Sequence, residues 1–509
     1  MQCLKRCVLA ILAASVLALV LTALLAAAVV AVRQVRQGNR TALSDAESIS
    51  IAVLPFEDLS PNRDKEYFAD GITEELLVRL SRVEGFHVVG RTSSFEFKGR
   101  DVDVRQVAQR LGVRVVLGGS VLESGDRLRI FAQLIDATDG YQLWSDRYER
   151  EREDIFAIQD EIARAIVSRL QGQLAVDAVP AQTNVPTDDP DAYNLYLRGR
   201  YEWHKRTEQG LRNAAAYLEQ AILRAPTYAR AHAGLGDAYA VLGFYDYLPP
   251  AVAFSRAQEA ARRALEIDPE LAEAHATLGY VALYYEWDWE QSEEEFRTTI
   301  RLDPGYSTGH QWFANYLTAM GRFDEAIREM RIAQDLDPLS LIANAALGFV
   351  LYHAGDYERA IDQLQQTLEL NPRFELAYLW RGLAYEEVGR GDEAVADIQR
   401  TVDMSGGSGI TLASLARTHA VFGDTIRARS ILRELEVRGG SAYIPSFEVA
   451  KVYEALEDRA SALHWLDLAY SQRSHSMVFL ASDPQLENLR SDPDFQRLVR
   501  RVGLDRRPR

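Results

Sequence analysis

The sequence predicts an α/β (or α+β) domain followed by an all-α superhelix of stacked helical pairs, with one transmembrane helix in front of both. Three observations predict it. Strand-like and helix-like runs alternate from residue 49 to 170, as in a sheet covered by helices. A proline recurs at Pro269, Pro304, Pro338 and Pro372, at spacings of 35, 34 and 34 residues, with small residues at fixed offsets. Such a period marks antiparallel helix pairs that must stack on their neighbours to bury an apolar face. Finally, Val8 to Val32 is a run of 25 residues without a charge, long enough to span a bilayer core as a helix.

Residues 1–7 form a short tail, 8–32 the expected anchor and 33–48 a connector. Within the apolar run only Ser15 and Thr22 are polar. A cleaved signal peptide, cut near Val29-Val30-Ala31, is the alternative. Lys5 and Arg6 precede the run and Arg33, Arg36 and Arg40 follow it, so flanking charge scarcely sets orientation. A short-tailed single-span protein keeps its small tail inside, which puts the large domains on the far side of the membrane.

Residues 49–170 form the first domain. Ile51 to Leu54 reads as a buried strand ended by Pro55. Tyr67 to Leu80 reads as a helix with Ile72, Leu76 and Leu80 on one face, and Glu74 and Glu75 suit its early turns. Residues 86–89 make a second strand, 104–111 a short helix, and 114–123 with 127–136 a hairpin. In the second arm Leu128, Ile130, Ala132 and Leu134 share one face. Residues 142–148 form a last strand. A closing helix, 154–170, carries Ile155, Ile158, Ile162, Ile166 and Leu170. Gly118-Gly119 falls inside strand patterning, where close backbone approach explains it better than phosphate binding.

Residues 171–190, with Pro180, Pro186 and Pro190, read as a linker. The array occupies 191–480 in about seven units. Its second unit exceeds the period by nine residues, and Phe244 to Pro250 marks the insertion. Tyr245 and Tyr247 there are candidate partner contacts. So are Trp287 and Trp289 at the turn of the third unit, Trp312 and Trp380 in later first helices, and His275 and His310 at equivalent positions of consecutive units. Residues 481–509 form a cap and a basic tail.

The chain has 509 residues, enough for more than one domain. Its net charge of -17 argues against a general phosphate-backbone binder, so no nucleic-acid partner is expected. Cys3 and Cys7 are its only cysteines, which leaves the two folded regions without a thiol nucleophile, a thiolate metal site or a disulfide. Neither a phosphate-binding glycine loop nor a His-Glu-x-x-His pair occurs. Arg91-Thr92-Ser93-Ser94 is the most polar cluster after a strand. Arg91 and Ser93 join the candidate contacts on that account, beside the plainer reading of loop stabilisation. No catalytic residue, metal or cofactor is expected.

Pro338, Gly348, Gly355, Ala360 and Pro372, matched by Gly382, Gly389 and Ala394 in the next unit, resemble the tetratricopeptide repeat family. In the first domain, Ile51 to Phe56, Tyr67 to Leu76, Arg91 to Phe95, Gln133 to Ala137 and Leu143-Trp144-Ser145 resemble the bacterial TolB N-terminal-like domain. Relatives of this build often place the two parts after an adenylate cyclase, kinase or winged-helix domain. Residues 1–48 offer room for an anchor alone, so the resemblance implies the scaffolding half without an output enzyme. It also implies a periplasmic setting.

The expected function is a non-enzymatic, inner-membrane-anchored scaffold that binds a protein or peptide in the groove of the array, with self-association left open. The rivals are a small-molecule or peptide sensor acting through the α/β domain, and a hydrolase using Ser93 or Ser94.

Overall fold

The computed structural model describes residues 49–83, 85–100, 102–124, 127–151, 154–171, 187, 189–245, 247–438 and 445–506. The first domain is built on a six-stranded mixed sheet in the order β3-β1-β4-β5-β6, with β2 paired beside β4. Its strands are β1 (Ile49–Val53), β2 (Glu57–Asp58), β3 (Phe86–Val88), β4 (Val115–Ser124), β5 (Arg127–Asp136) and β6 (Gln142–Glu151). β1 runs parallel to β3 and β4, while β4, β5 and β6 are antiparallel neighbours. Leu128, Ile130, Ala132 and Leu134 all point into the core, as their alternation demands.

Helix α1 (Glu66–Ser81) and helix α4 (Ile155–Gln171) share one apolar core with the sheet, through Ile72, Leu76, Ile158 and Ile162. Helix α3 (Val104–Leu111) joins a second core, where Val107 and Leu111 meet Ala52 and Val116. Alternate residues of β1 and β4 thus serve opposite faces of the sheet. Short helix α2 (Arg91–Phe95) follows β3.

The array consists of sixteen helices, α5 to α20, arranged as eight antiparallel pairs among the described residues. The pairs are Pro190–His204 with Glu208–Arg224, Ala229–Phe244 with Pro250–Ile267, and Ala272–Val281 with Trp289–Leu302. Ser307–Ala319 with Phe323–Leu336, Leu341–His353 with Tyr357–Leu370, and Glu375–Glu387 with Gly391–Ser405 follow. Gly409–Val421 with Thr425–Arg438 and Ser446–Ala455 with Arg459–Ser471 complete them. The sequence expectation was about seven units. The proline beat fades after Pro372, which blurs the count beyond it.

A repeated hydrogen bond clips the first five inter-pair loops. The side chain six residues after the closing proline reaches that proline's carbonyl oxygen. His232 does so to Pro226 at 3.0 Å, His275 to Pro269 at 3.0 Å, His310 to Pro304 at 3.0 Å and Asn344 to Pro338 at 2.9 Å. Tyr378 repeats it to Pro372 at 3.3 Å. The clip satisfies a loop carbonyl that the preceding helix cannot bond.

Glycines let the two helices of a pair approach closely. A Cβ on Gly348 would lie 2.5 Å from Cγ of Leu364. Leu364 is fully buried and cannot yield, so Gly348→Ala is expected to cost about 1–3 kcal/mol by overpacking. Chemical denaturation of the variant checks this, since helix propensity alone would make alanine the better residue.

The array curls until its end meets its third pair. Trp287 meets Tyr470 with tilted rings, 5.2 Å between centroids, and the Arg473 guanidinium covers the indole at 4.2 Å. Arg473 also donates to the carbonyl of Tyr285 at 3.1 Å. Trp289 donates its indole N–H to the carbonyl of Val502 at 3.2 Å. The cap, formed by His475–Phe479, Pro484–Leu489, α21 (Pro493–Val502) and Leu504–Arg506, fills the seam with Val478, Leu480, Leu486 and Phe495.

One expectation is corrected. Among the described residues no helix is long and apolar enough to cross a membrane. The longest described helix, Pro250–Ile267, has 18 residues and carries Arg256, Glu259, Arg262, Arg263 and Glu266. The fold is therefore an α/β domain plus an all-α superhelix. The transmembrane helix, the membrane as partner, and the inner-membrane and periplasmic placement are withdrawn from it. Residues 8–32, on which that expectation fell, lie outside the described residues.

Candidate functional site

The first helix of every pair faces one cavity of about 680 Å³. Tyr196, Asp237, Glu273, Trp312, Phe349, Trp380, Ser414 and Lys451, one from each of the eight, line it. No residue of a second helix does. This is the inside of the superhelix. The α/β domain closes one side with Glu74, Gly90 and Arg91, and the cap closes another with His475, Phe479 and Asp483.

The α/β domain is held there by charge. Glu74 of α1 takes Arg200 of α5 at 2.9 Å, Arg91 at 3.2 Å and His204 at 3.1 Å. Burial alone would raise the Glu74 pKa, but the charges of Arg200 and Arg91 and the hydrogen bond from the neutral His204 outweigh it and hold the carboxyl well below its usual range. Arg200 also reaches Asp237 at 3.3 Å. Burial pushes the Asp237 pKa up to about 6, partly offset by Arg200. The next residue of α1, Glu75, is held by Arg230 of α7 at 2.5 Å and by Arg79 at 3.2 Å.

A second seam follows β3. The Gly90 amide donates to the carbonyl of Leu336 at 2.5 Å. The Ser93 amide donates to Asp337 at 2.7 Å, its hydroxyl makes a short bond to the same carboxylate, and that hydroxyl accepts from the Leu339 amide at 2.7 Å.

His204 is buried as the neutral imidazole. Burial, then Arg91 and Arg200, pull its pKa down to about 3 against the opposing pull of Glu74. In the unfolded chain it takes up a proton near the ordinary histidine value of about 6.5. Its contribution to stability is therefore present above that value and is lost as the pH falls toward the folded value. The urea midpoint of the wild type should fall between pH 6.5 and 4 more steeply than that of His204→Gln, which keeps an N–H for Glu74 without titrating.

The structure separates the sequence candidates. Arg91, Trp312, Trp380 and Tyr245 line the cavity. Tyr245 is exposed, and its ring meets Tyr247 at 5.7 Å. Ser93 is sealed in the domain seam. Trp287 and Trp289 bind the C-terminal segment of their own chain. His275 and His310 serve the loop clips and also donate to Glu295 and Glu329, each at 2.6 Å. Burial opposes the charge of His275, but the bonds to Glu295 and Pro269 outweigh it and raise its pKa.

Sequence reasoning missed Arg200, Arg206, Asp237 and Glu273. Arg206 carried one signal, its place just after an aromatic helix end. It adopts a left-handed φ of 54° and lays its guanidinium 3.6 Å from the ring centroid of Trp203. No group of three or more His, Cys, Asp and Glu side chains among the described residues is placed to hold a metal ion.

Residues 46–165 match the family model described as "HilA/YgeH-like transcriptional regulator, second domain", and residues 350–389 match a TPR repeat model. A protein of Rhizobium meliloti (strain 1021) named "Putative adenylate cyclase 3" is 36% identical over 286 residues, covering 54% of this chain and 41% of that protein. The chain thus spans less than half the length of this curated relative. Among solved structures, pilF of Pseudomonas aeruginosa is 24% identical with a TM-score of 0.32, covering 42% of this chain and 94% of that one. The human IFIT1 dimer with m7Gppp-AAAA is 16% identical with a TM-score of 0.40, covering 68% and 80%. The domain match falls on a model of another name than TolB. What stands is an N-terminal α/β domain followed by TPR repeats.

Proposed function

We propose that the protein is a non-enzymatic TPR scaffold that binds a protein partner through the inner face of its array. The observation that carries this reading is the convergence of all eight first helices on one aromatic-walled trough with an exposed aromatic, Tyr245, at its lining. Tyr245, Trp312 and Trp380 are the proposed contacts, with Tyr247 next to the first of them. The TolB N-terminal-like identity of the α/β domain belongs with this proposal and is supported by the motifs at Ile51 to Phe56 and Tyr67 to Leu76.

A photo-crosslinking residue placed at Tyr245, Trp312 or Trp380 in the full chain tests the reading. The expected result is capture of one defined protein from cells of the source organism, and no capture from the second-helix positions Arg263 and Gln399. Equal capture from both sets of positions, or capture from neither, overturns it.

A further inference from the structure

Most charges on the cavity wall are matched. Arg91 and Arg200 share Glu74, Arg230 holds Glu75, and Lys451 sits between Glu448 and Asp483. Of the wall charges without an ion pair, Asp337 is held by the Ser93 amide and hydroxyl and Asp303 by the Gly305 amide, which leaves Arg206 and Glu273, of opposite sign. Arg206 makes no ion pair among the described residues. Its guanidinium stacks on Trp203, and its exposed surface opens into the cavity. Glu273 makes no ion pair among the described residues either, and its Oε2 is buried without a hydrogen-bond partner.

A buried carboxylate oxygen without a donor is costly, so this one is accounted for best by a donor that arrives with a ligand. Arg206 follows the C-terminal end of the first helix Pro190–His204 and Glu273 lies in the first turn of the first helix Ala272–Val281, so the two sit toward opposite ends of the layer of first helices rather than neutralising each other. The wall beside them is apolar and aromatic. Phe244, Tyr280, Tyr284 and Trp312 form a continuous cluster with ring centroids 4.4 to 5.8 Å apart. A volume of about 680 Å³ suits a ligand much longer than a single amino acid.

We infer that this cavity binds an elongated zwitterion, its ammonium end at Glu273, its carboxylate end at Arg206 and its apolar body against the aromatic wall. The chemistry is shared by short peptides with free ends and by ω-amino fatty acids. The inference is independent of the protein partner, because it is read on the isolated full chain.

Isothermal titration with trileucine, triphenylalanine and aminododecanoic acid tests it. Saturable binding by the two peptides alone assigns the site to peptides, and binding by the amino acid alone assigns it to the acyl chain. N-acetyl-trileucine and trileucine amide, which each lack one charged end, should bind at least about tenfold more weakly. Glu273→Gln and Arg206→Gln should reduce the affinity for the free-ended ligand while leaving that for the correspondingly blocked one unchanged. The comparison of blocked with free ligand uses the wild-type chain, so it does not depend on a variant folding. Absence of heat with all three zwitterions, or equal binding of free and blocked forms, overturns the inference. Neither result bears on crosslinking at Tyr245, Trp312 or Trp380.

Discussion

Arg230→Ala is expected to destabilise the protein by about 3 kcal/mol and to loosen the α/β domain from the array. Arg230 projects from the second pair of the array onto Glu75, whose side chain is 2% exposed. Removing the guanidinium leaves Glu75 with Arg79 alone, which already shares its charge with Asp160 at 3.0 Å. Breaking a buried pair from one side costs about 3–5 kcal/mol because the stranded charge stays desolvated. The remaining Arg79 places this case at the lower end. Replacing both partners, as in Glu75→Leu with Arg230→Met, should recover most of the loss, since no charge is then left unpaired. Urea denaturation of the two variants gives the comparison. A loss as large in the double variant as in the single one would mean that Arg230 acts through packing and not through charge.

Trp287→Ala should have an effect of similar size at the opposite seam. Trp287 is 8% exposed, wedged between Tyr470 and Arg473, and it joins the third pair to the last. Truncating a buried tryptophan costs about 3–5 kcal/mol. The residue also sits at φ 59°, a conformation bulky side chains avoid. Trp287→Gly relieves that strain but loses the same contacts. It should therefore be no less stable than Trp287→Ala, although glycine is usually the more damaging choice. In both variants the radius of gyration by small-angle scattering should increase as the last pair separates from the third.

The repeat architecture was legible because stacking imposes a period on the sequence, and periods survive without knowledge of the partner surface. The alternation over Arg127 to Asp136 was legible for the same reason. What sequence could not supply was the pairing of distant charges. Glu74 and Glu75 read from sequence as acids in the early turns of a helix but sit in the middle of α1, and nothing local shows that Arg200 and Arg230, more than a hundred residues later, will cover them. The aromatic residues at the turn of the third unit were readable as a contact surface. They are one, but Trp287 and Trp289 meet the chain's own C-terminal segment, because the curvature that brings those elements together accumulates over four intervening pairs. His275 and His310 were visible as equivalent positions. Their use as loop clips needed the carbonyl oxygens of Pro269 and Pro304, which no side-chain pattern encodes.

An open solenoid can lengthen by tandem duplication, because a new unit needs only its two neighbours. Here the indole of Trp287 must also arrive opposite Tyr470, and one unit more or fewer between them would carry the two rings past each other. Descendants of this chain should accordingly diverge freely on their outer helices while the tally of modules from the third to the last holds constant.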